Sequence, residues 1–199
     1  MVTWNKLVCL LKNGNLEQIG LLIEKGKRTV TSGGVRRYRD GLFLTDVHDL
    51  AAFDFSEPCS ELPALRNCFF EFKALPPDTL SDKVVGIIVS GYPFDDQNYD
   101  LENNRHLGQA KRIVLCKLDG PDQPRDQALL RLRTLERLNF SPDGISGGGA
   151  FVVQLEGLEA RAYFAGIVTR AGRDHVHIVK SPFIQQFMDA WISRSGRAE

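Results

Sequence analysis

The sequence predicts an all-β protein of the sandwich or barrel class, closed by a single C-terminal helix. Three observations carry this. Short apolar, β-branched runs recur along the chain, turns rich in Gly and Pro stop them, and only the last segment has helical periodicity. The 199 residues suffice for one domain of ordinary size or two small halves, and an apolar share of 43% sustains a packed interior.

The β-prone runs follow in order. Residues 19–24 are apolar and end at the turn Lys25-Gly26-Lys27. Residues 29–31, 41–44 and 50–55 are short further candidates. Residues 84–90 stop at Gly91-Tyr92-Pro93, and residues 112–118 stop at Asp119-Gly120-Pro121. Residues 129–138 alternate Leu with Arg, Thr and Glu, a half-buried strand pattern whose composition also suits a helix. Residues 150–154, 162–169 and 175–180 complete the set. Residues 94–108 are polar and aperiodic and read as a long surface loop. A helix is predicted over 181–193: Ser181-Pro182 opens it, and Phe183, Ile184, Phe187, Ala190 and Trp191 share one face.

Bulk properties narrow the function. There are 25 basic and 25 acidic residues, so no basic surplus exists to neutralise phosphates, and a general nucleic-acid binder is disfavoured. The run Arg36-Arg37-Tyr38-Arg39 reads as a solvated strand end. Cys9, Cys59, Cys68 and Cys116 include no CxxC pair, so neither a zinc site nor any other metal site is expected. Cys59 and Cys68 could pair across a loop, but reduced thiols are the preferred reading. No apolar run reaches the length of a membrane span, and residues 7–11 are too short for a signal-peptide core. The chain as written is expected to be cytoplasmic, free of membrane contact and without a cofactor; a native start upstream of Met1 would reopen the compartment.

The string Gly144-Ile145-Ser146-Gly147-Gly148-Gly149 carries the chemistry. A serine hydroxyl becomes a useful nucleophile when a tight turn presents it beside a base, and glycines permit that turn. Taken alone, the string also reads as a glycine loop between strands. A phosphate-cradling loop is the weaker alternative, because no Lys-Ser/Thr follows the glycines. The flanks shift the balance. Ala150-Phe151-Val152-Val153, Phe164-Ala165-Gly166-Ile167-Val168-Thr169, Val176-His177-Ile178-Val179 and the terminal helix follow in an order that resembles the trypsin-like serine peptidase family.

The resemblance implies a double β-barrel with a C-terminal helix: a partial N-terminal barrel over 1–93, a C-terminal barrel over 94–180 and the helix over 181–193. It implies Ser146 as nucleophile, with the N–H groups of Gly144 and Ser146 as oxyanion donors. Thr169, Arg170 and Ala171 become the positions that pair with substrate backbone. Phe140 falls near the base of the specificity pocket, where the lack of an acid gives no support for Lys or Arg preference. The partner is then a protein or peptide substrate. The family usually has Gly-Pro after the Ser-Gly; Gly148-Gly149 here resembles divergent bacterial members.

Asp49-Leu50-Ala51-Ala52-Phe53 resembles the family's aspartate segment, and it lies 97 residues before Ser146, against roughly 93 in the family. The same string also reads as an aspartate capping a buried strand. Val89-Ser90-Gly91-Tyr92-Pro93 resembles the turn that opens the second half of bacterial members.

A histidine is expected roughly 45 residues before the aspartate. His48, His106, His175 and His177 all miss that window. His48 adjoins Asp49, His106 falls in the polar stretch, and His175 and His177 are expected to face solvent from the closing strand. Aligning Val2-Thr3 with the family's histidine turn puts Lys6 at the base position, 43 residues before Asp49. Three explanations stand: a fragment whose histidine lies upstream, a catalytically silent pseudoprotease that binds peptides or partners, or Lys6 as base. The last ranks lowest, because Asp49 would hold a lysine in its charged form. Missing N-terminal strands would also leave edges through which chains can self-associate.

Overall fold

The computed structural model describes residues 6–10, 19–23, 28–37, 50–69, 83–100, 102, 105–120 and 123–195. Its contacts divide the chain into two units, residues 1–72 with 186–199, and residues 73–185.

In the first unit, β1 (Lys6–Leu10), β4 (Val35–Arg37) and β5 (Leu50–Asp54) form a three-stranded antiparallel sheet with β5 in the middle. Strands β2 (Gly20–Ile23) and β3 (Arg28–Thr31) form a separate ribbon. Leu50, Ala51, Ala52 and Phe53 are all buried, which explains the unbroken apolar run: a strand covered on both faces has no polar alternate. At the end of β5, the Asp54 carboxylate accepts the N–H of Ser56 at 2.9 Å, a local turn just before α1 (Ser56–Glu61). A 3-10 turn, Pro63–Cys68, follows. Phe53, Phe55, Cys59 and Leu65 gather with Ala51 and Val30 into this unit's core. Among the described residues the sheet stays open. The β-prone stretch 41–44 and Asp49 lie outside the described residues.

In the second unit, six antiparallel strands close into a barrel. They are β6 (Val84–Gly91), β9 (Arg112–Leu118), β10 (Leu129–Thr134), β11 (Gly149–Glu156), β12 (Glu159–Ala171) and β13 (His175–Lys180), in the order β10-β13-β12-β11-β6-β9. Alternate residues fill it: Ile87 and Val89, Val114 and Cys116, Leu132, Ala150 and Val152, Val176 and Ile178. The protein is therefore mostly β with a closed barrel and a C-terminal helix, as its sequence pattern requires.

Two of the strand expectations change. The stretch 94–108 is not one loop. A 3-10 turn, Phe94–Asp96, leads into β7 (Gln97–Asp100), which pairs with β8 (Arg105–Gln109) as a hairpin. Such a ribbon satisfies its backbone by mutual pairing, so the sequence needs no hydrophobic alternation to form it. The strand expected over 129–138 ends at Thr134, whose N–H turns to the carbonyl of Asp174 at 2.9 Å. Leu135 is exposed beyond it, and Leu138 is buried after the turn.

Helix α2 (Ser181–Ser195) begins where the Ser-Pro pair indicates, and its buried face is Ile184, Met188 and Trp191. Ala190, expected on that face, is exposed. No helix among the described residues is long and apolar enough to cross a membrane.

Candidate functional site

The Ser146 loop joins β10 to β11 and is pinned from both sides. Ile145, 1% exposed, drops into the barrel core and anchors it. The N–H of Ile145 donates to the Pro142 carbonyl at 3.1 Å, and the N–H of Gly148 to the Ile145 carbonyl at 2.9 Å, so the chain coils tightly around Ser146. On the far side, the Gly147 N–H donates to the Val168 carbonyl and the Val168 N–H to the Gly148 carbonyl, each at 2.8 Å. The loop is thus stitched to β12.

Two glycines answer to this geometry. Gly144 has φ of 90°, and a Cβ there would lie 2.7 Å from the Phe94 nitrogen and 2.8 Å from the Tyr92 oxygen. A Cβ on Gly148 would collide with the carbonyl oxygen of Ser90. The motif is therefore needed for close backbone approach as well as for turning.

The half-buried Ser146 donates its hydroxyl to the Thr169 carbonyl at 2.9 Å. Among the described residues, that is its hydrogen bond; no basic side chain receives the proton. The N–H groups of Ile145 and Gly148 are taken up within the loop and that of Gly147 by β12, whereas those of Gly144 and Ser146 make no hydrogen bond among the described residues. These two are the N–H groups that the family resemblance implies as oxyanion donors.

Thr169 is buried, with its Oγ1 donating to the His177 carbonyl at 3.3 Å. Arg170 is exposed and Ala171 half-buried. The register between β11 and β12 ends at Gly149↔Ile167, whereas β13 continues alongside β12 through Arg170↔His177 and Ala171↔Val176. With Val168 paired to Gly147 and Gly148, residues 169–171 run past β11, beside Ser146. The structure brings Ser146 together with Gly144 and Thr169 at one end of the barrel, with Arg170 and Ala171 next in line.

Phe140 is half-buried and packs on the barrel core, and the Arg112 guanidinium lies 5.6 Å from its ring centroid. Arg112 is held in turn by Asp96 through two hydrogen bonds, Nε at 2.6 Å and Nη2 at 3.0 Å. Those bonds hold the Asp96 carboxyl below its usual range and push the Arg112 guanidinium higher. Sequence reading found Phe140 but not its cationic cover, because Arg112 and Asp96 are far from it along the chain.

The remaining candidates sit in the first unit or outside the description. Lys6 is in register with Asp54, and Leu10 with Leu50. Lys6 and Leu50 thus stand at opposite ends of the strand pair, about 13 Å apart along it at 3.3 Å per residue. Asp49 and His48 lie outside the described residues.

His175, expected to face solvent, is half-buried, with Nε2 3.3 Å from the Asp119 carboxylate. Asp119 has no exposed side-chain surface. Burial pushes its carboxyl up, but the hydrogen bond from Arg133 and the charges of Arg131, Arg133 and His175 outweigh burial and lower it. This cluster was not legible beforehand: it joins the end of β9 to β10 and β13. Cys59 and Cys116 are buried thiols rather than members of a disulfide. No protein-family profile matches the chain, and no curated protein matches it either.

Proposed function

We propose that the chain carries a serine-endopeptidase site of the trypsin-like kind, within a double-barrel plan whose first barrel is incomplete. The observation that carries the reading is the Ser146 loop. It is stitched to β12, its Gly144 and Ser146 N–H groups are left without a hydrogen bond among the described residues, and the substrate-pairing stretch 169–171 runs past the end of β11.

In this reading a peptide lies along β12 and is held by main-chain hydrogen bonds. The Ser146 oxygen forms a bond to the scissile carbonyl carbon while its proton passes to a base. The carbonyl oxygen becomes an oxyanion, received by the two N–H groups, and the peptide C–N bond then breaks as the amine gains a proton. By the resemblance Asp49 would orient the base; Lys6, the aligned candidate, is in register with Asp54, at the opposite end of the β1–β5 pair from Leu50. Phe140 with its Arg112 cover would line the side-chain pocket.

A second reading, a non-catalytic peptide-binding pseudoprotease, is favoured by one specific contact. The Ser146 hydroxyl gives its proton to the Thr169 carbonyl, which is too weak a base to accept it in a reaction. Loss of a triad member lowers kcat by as much as about 10⁶-fold.

Labelling with a fluorophosphonate decides between them. The Ser146 oxygen displaces fluoride from phosphorus, so an activated serine becomes covalently tagged, and Ser146→Ala abolishes the tag. Tagging of the full chain supports the peptidase. Peptide binding without tagging supports the pseudoprotease, and absence of both overturns the reading.

A further inference from the structure

We infer that the peptide this site accepts carries a bulky apolar residue on the departing side of the scissile bond, and that Tyr92 and Phe94 receive it. The inference rests on the peptide-binding reading above and names the substrate class for it.

The main chain of residues 90–94 runs alongside the Ser146 loop. The Ser90 carbonyl lies against Gly148, and a Cβ on Gly91 would come within 2.9 Å of the Ile145 Cα. The Tyr92 oxygen and the Phe94 nitrogen lie against Gly144, and the Phe94 N–H donates to the Asp143 carbonyl at 2.7 Å. The two sides of the loop therefore differ. Ser146, Gly147 and Gly148 are bonded to β12, whereas Gly144 meets residues 92–94.

On that second side two aromatic rings stand in the open. Phe94 is 64% exposed and Tyr92 39%, while Pro93 between them is buried. Pro93 is extended, with φ of −55° and ψ of 144°, so the residues on either side of it share the outward face. Their Cα atoms are about 6.6 Å apart at 3.3 Å per residue, close enough to meet one ligand side chain together. The backbone beneath them is fixed. Gln97 Nε2 donates to the Tyr92 carbonyl at 3.2 Å, the Asp96 N–H donates to the Pro93 carbonyl at 3.1 Å, and the Asp96 carboxylate holds Arg112 by two hydrogen bonds. An exposed ring on a fixed backbone loses little freedom when a ligand covers it.

The surrounding charges select the occupant. Asp95 and Asp143 adjoin the rings, both are exposed, and neither makes an ion pair among the described residues. Asp96 is offset by Arg112, and Lys111, next to the Ala110 N–H that reaches the Asp96 carbonyl, is one cation against those two acids. Two exposed carboxylates repel an anionic lipid surface, and two copies of the patch face to face would bring four together. A single apolar side chain on an extended peptide meets the rings without that cost.

The side of the peptide follows from the chemistry. With its carbonyl at the Gly144 and Ser146 N–H groups, the peptide has β12 on one hand and residues 92–94 on the other. The half that stays bonded to Ser146 after the C–N bond breaks is the half that β12 holds by main-chain bonds. The departing half crosses Gly144, and its first two side chains come over Tyr92 and Phe94.

Fluorescence anisotropy on the full chain carrying Ser146→Ala tests this without turnover. Labelled peptides share a first half of Val-Thr-Val-Thr and continue with Phe-Phe-Gln, Leu-Leu-Gln or Ser-Ser-Gln. The expected result is Phe-peptide affinity about tenfold above the Ser peptide, with the Leu peptide between them. Phe94→Ser and Tyr92→Ser should each cut that ratio to about threefold or less, and Phe94→Trp should keep it. Leu158→Ser, at a fully exposed position in the β11–β12 turn, is the control and should leave the ratio unchanged. Equal affinity for the Phe and Ser peptides overturns the inference while leaving the cleft intact. A ratio that survives both serine substitutions places apolar selectivity elsewhere and also overturns it. No binding of any peptide overturns the cleft reading itself. A native dimer in sedimentation velocity that Phe94→Ser converts to monomer assigns the rings to a second copy and overturns the inference.

Discussion

The Ser146 hydroxyl and the Thr169 carbonyl are 2.9 Å apart, and the serine proton lies between them. The contact ties the Ser146 loop to β12. A partly buried hydrogen bond of this kind contributes about 1 kcal/mol. Ser146→Ala should therefore lower the free energy of urea unfolding by about 1 kcal/mol, with an unchanged denaturant slope. A loss several times larger would mean that the hydroxyl holds the loop together.

Gly144 and Gly147 have nearly the same backbone angle, φ of 90° and 88°, but different surroundings. A Cβ at Gly147 meets nothing within 4 Å, whereas one at Gly144 meets the backbone of residues 92–94. Gly147→Ala should cost only the left-handed strain, about 1 kcal/mol. Gly144→Ala adds a backbone collision and should cost about 3 kcal/mol. Equal costs in thermal unfolding would show that the approach of residues 92–94 does not constrain the loop.

Asp119→Asn removes the carboxylate that two arginines share. With one guanidinium half-exposed, the loss should be about 2 kcal/mol near neutral pH. The pH dependence has a definite sign. The Asp119 carboxyl is held below its ordinary value of about 3.9, so its stabilisation is complete above that pH. It is lost as pH falls through the lowered folded value. The stability gap between the native chain and Asp119→Asn should therefore be flat above about pH 4 and close below it. A gap that widens on acidification contradicts the assignment.

Burial pushes the Cys116 thiol up to about 12. At pH 8 only about one molecule in ten thousand then carries the reactive thiolate. Iodoacetamide should leave Cys116 unmodified in the native protein and alkylate it in urea, as read by peptide mass spectrometry. Modification of the folded chain at the rate of a free thiol would mean that the barrel opens locally at β9.

Much of the barrel can be read from residues alone. Apolar β-branched runs stopped by Gly and Pro are a local property, so Val84–Gly91 and Arg112–Leu118 announce themselves, and Ser181-Pro182 marks the start of α2. The β7–β8 hairpin does not, because polar strands that pair with each other bury no periodic face. Met188 was missed in the helix because the neighbouring aromatic residues suggested a different face.

For the site, the sequence by itself determined that a tight glycine turn presents Ser146, since only glycine tolerates the angle and approach found at Gly144. Tertiary structure alone decided what the serine meets and which charges share a face. Thr169 lies 23 residues away along the chain, and Asp119 draws Arg131, Arg133 and His175 from two other strands. The physical reason is register: residue identity sets which face of a strand a side chain occupies, but strand pairing sets its neighbours across that face.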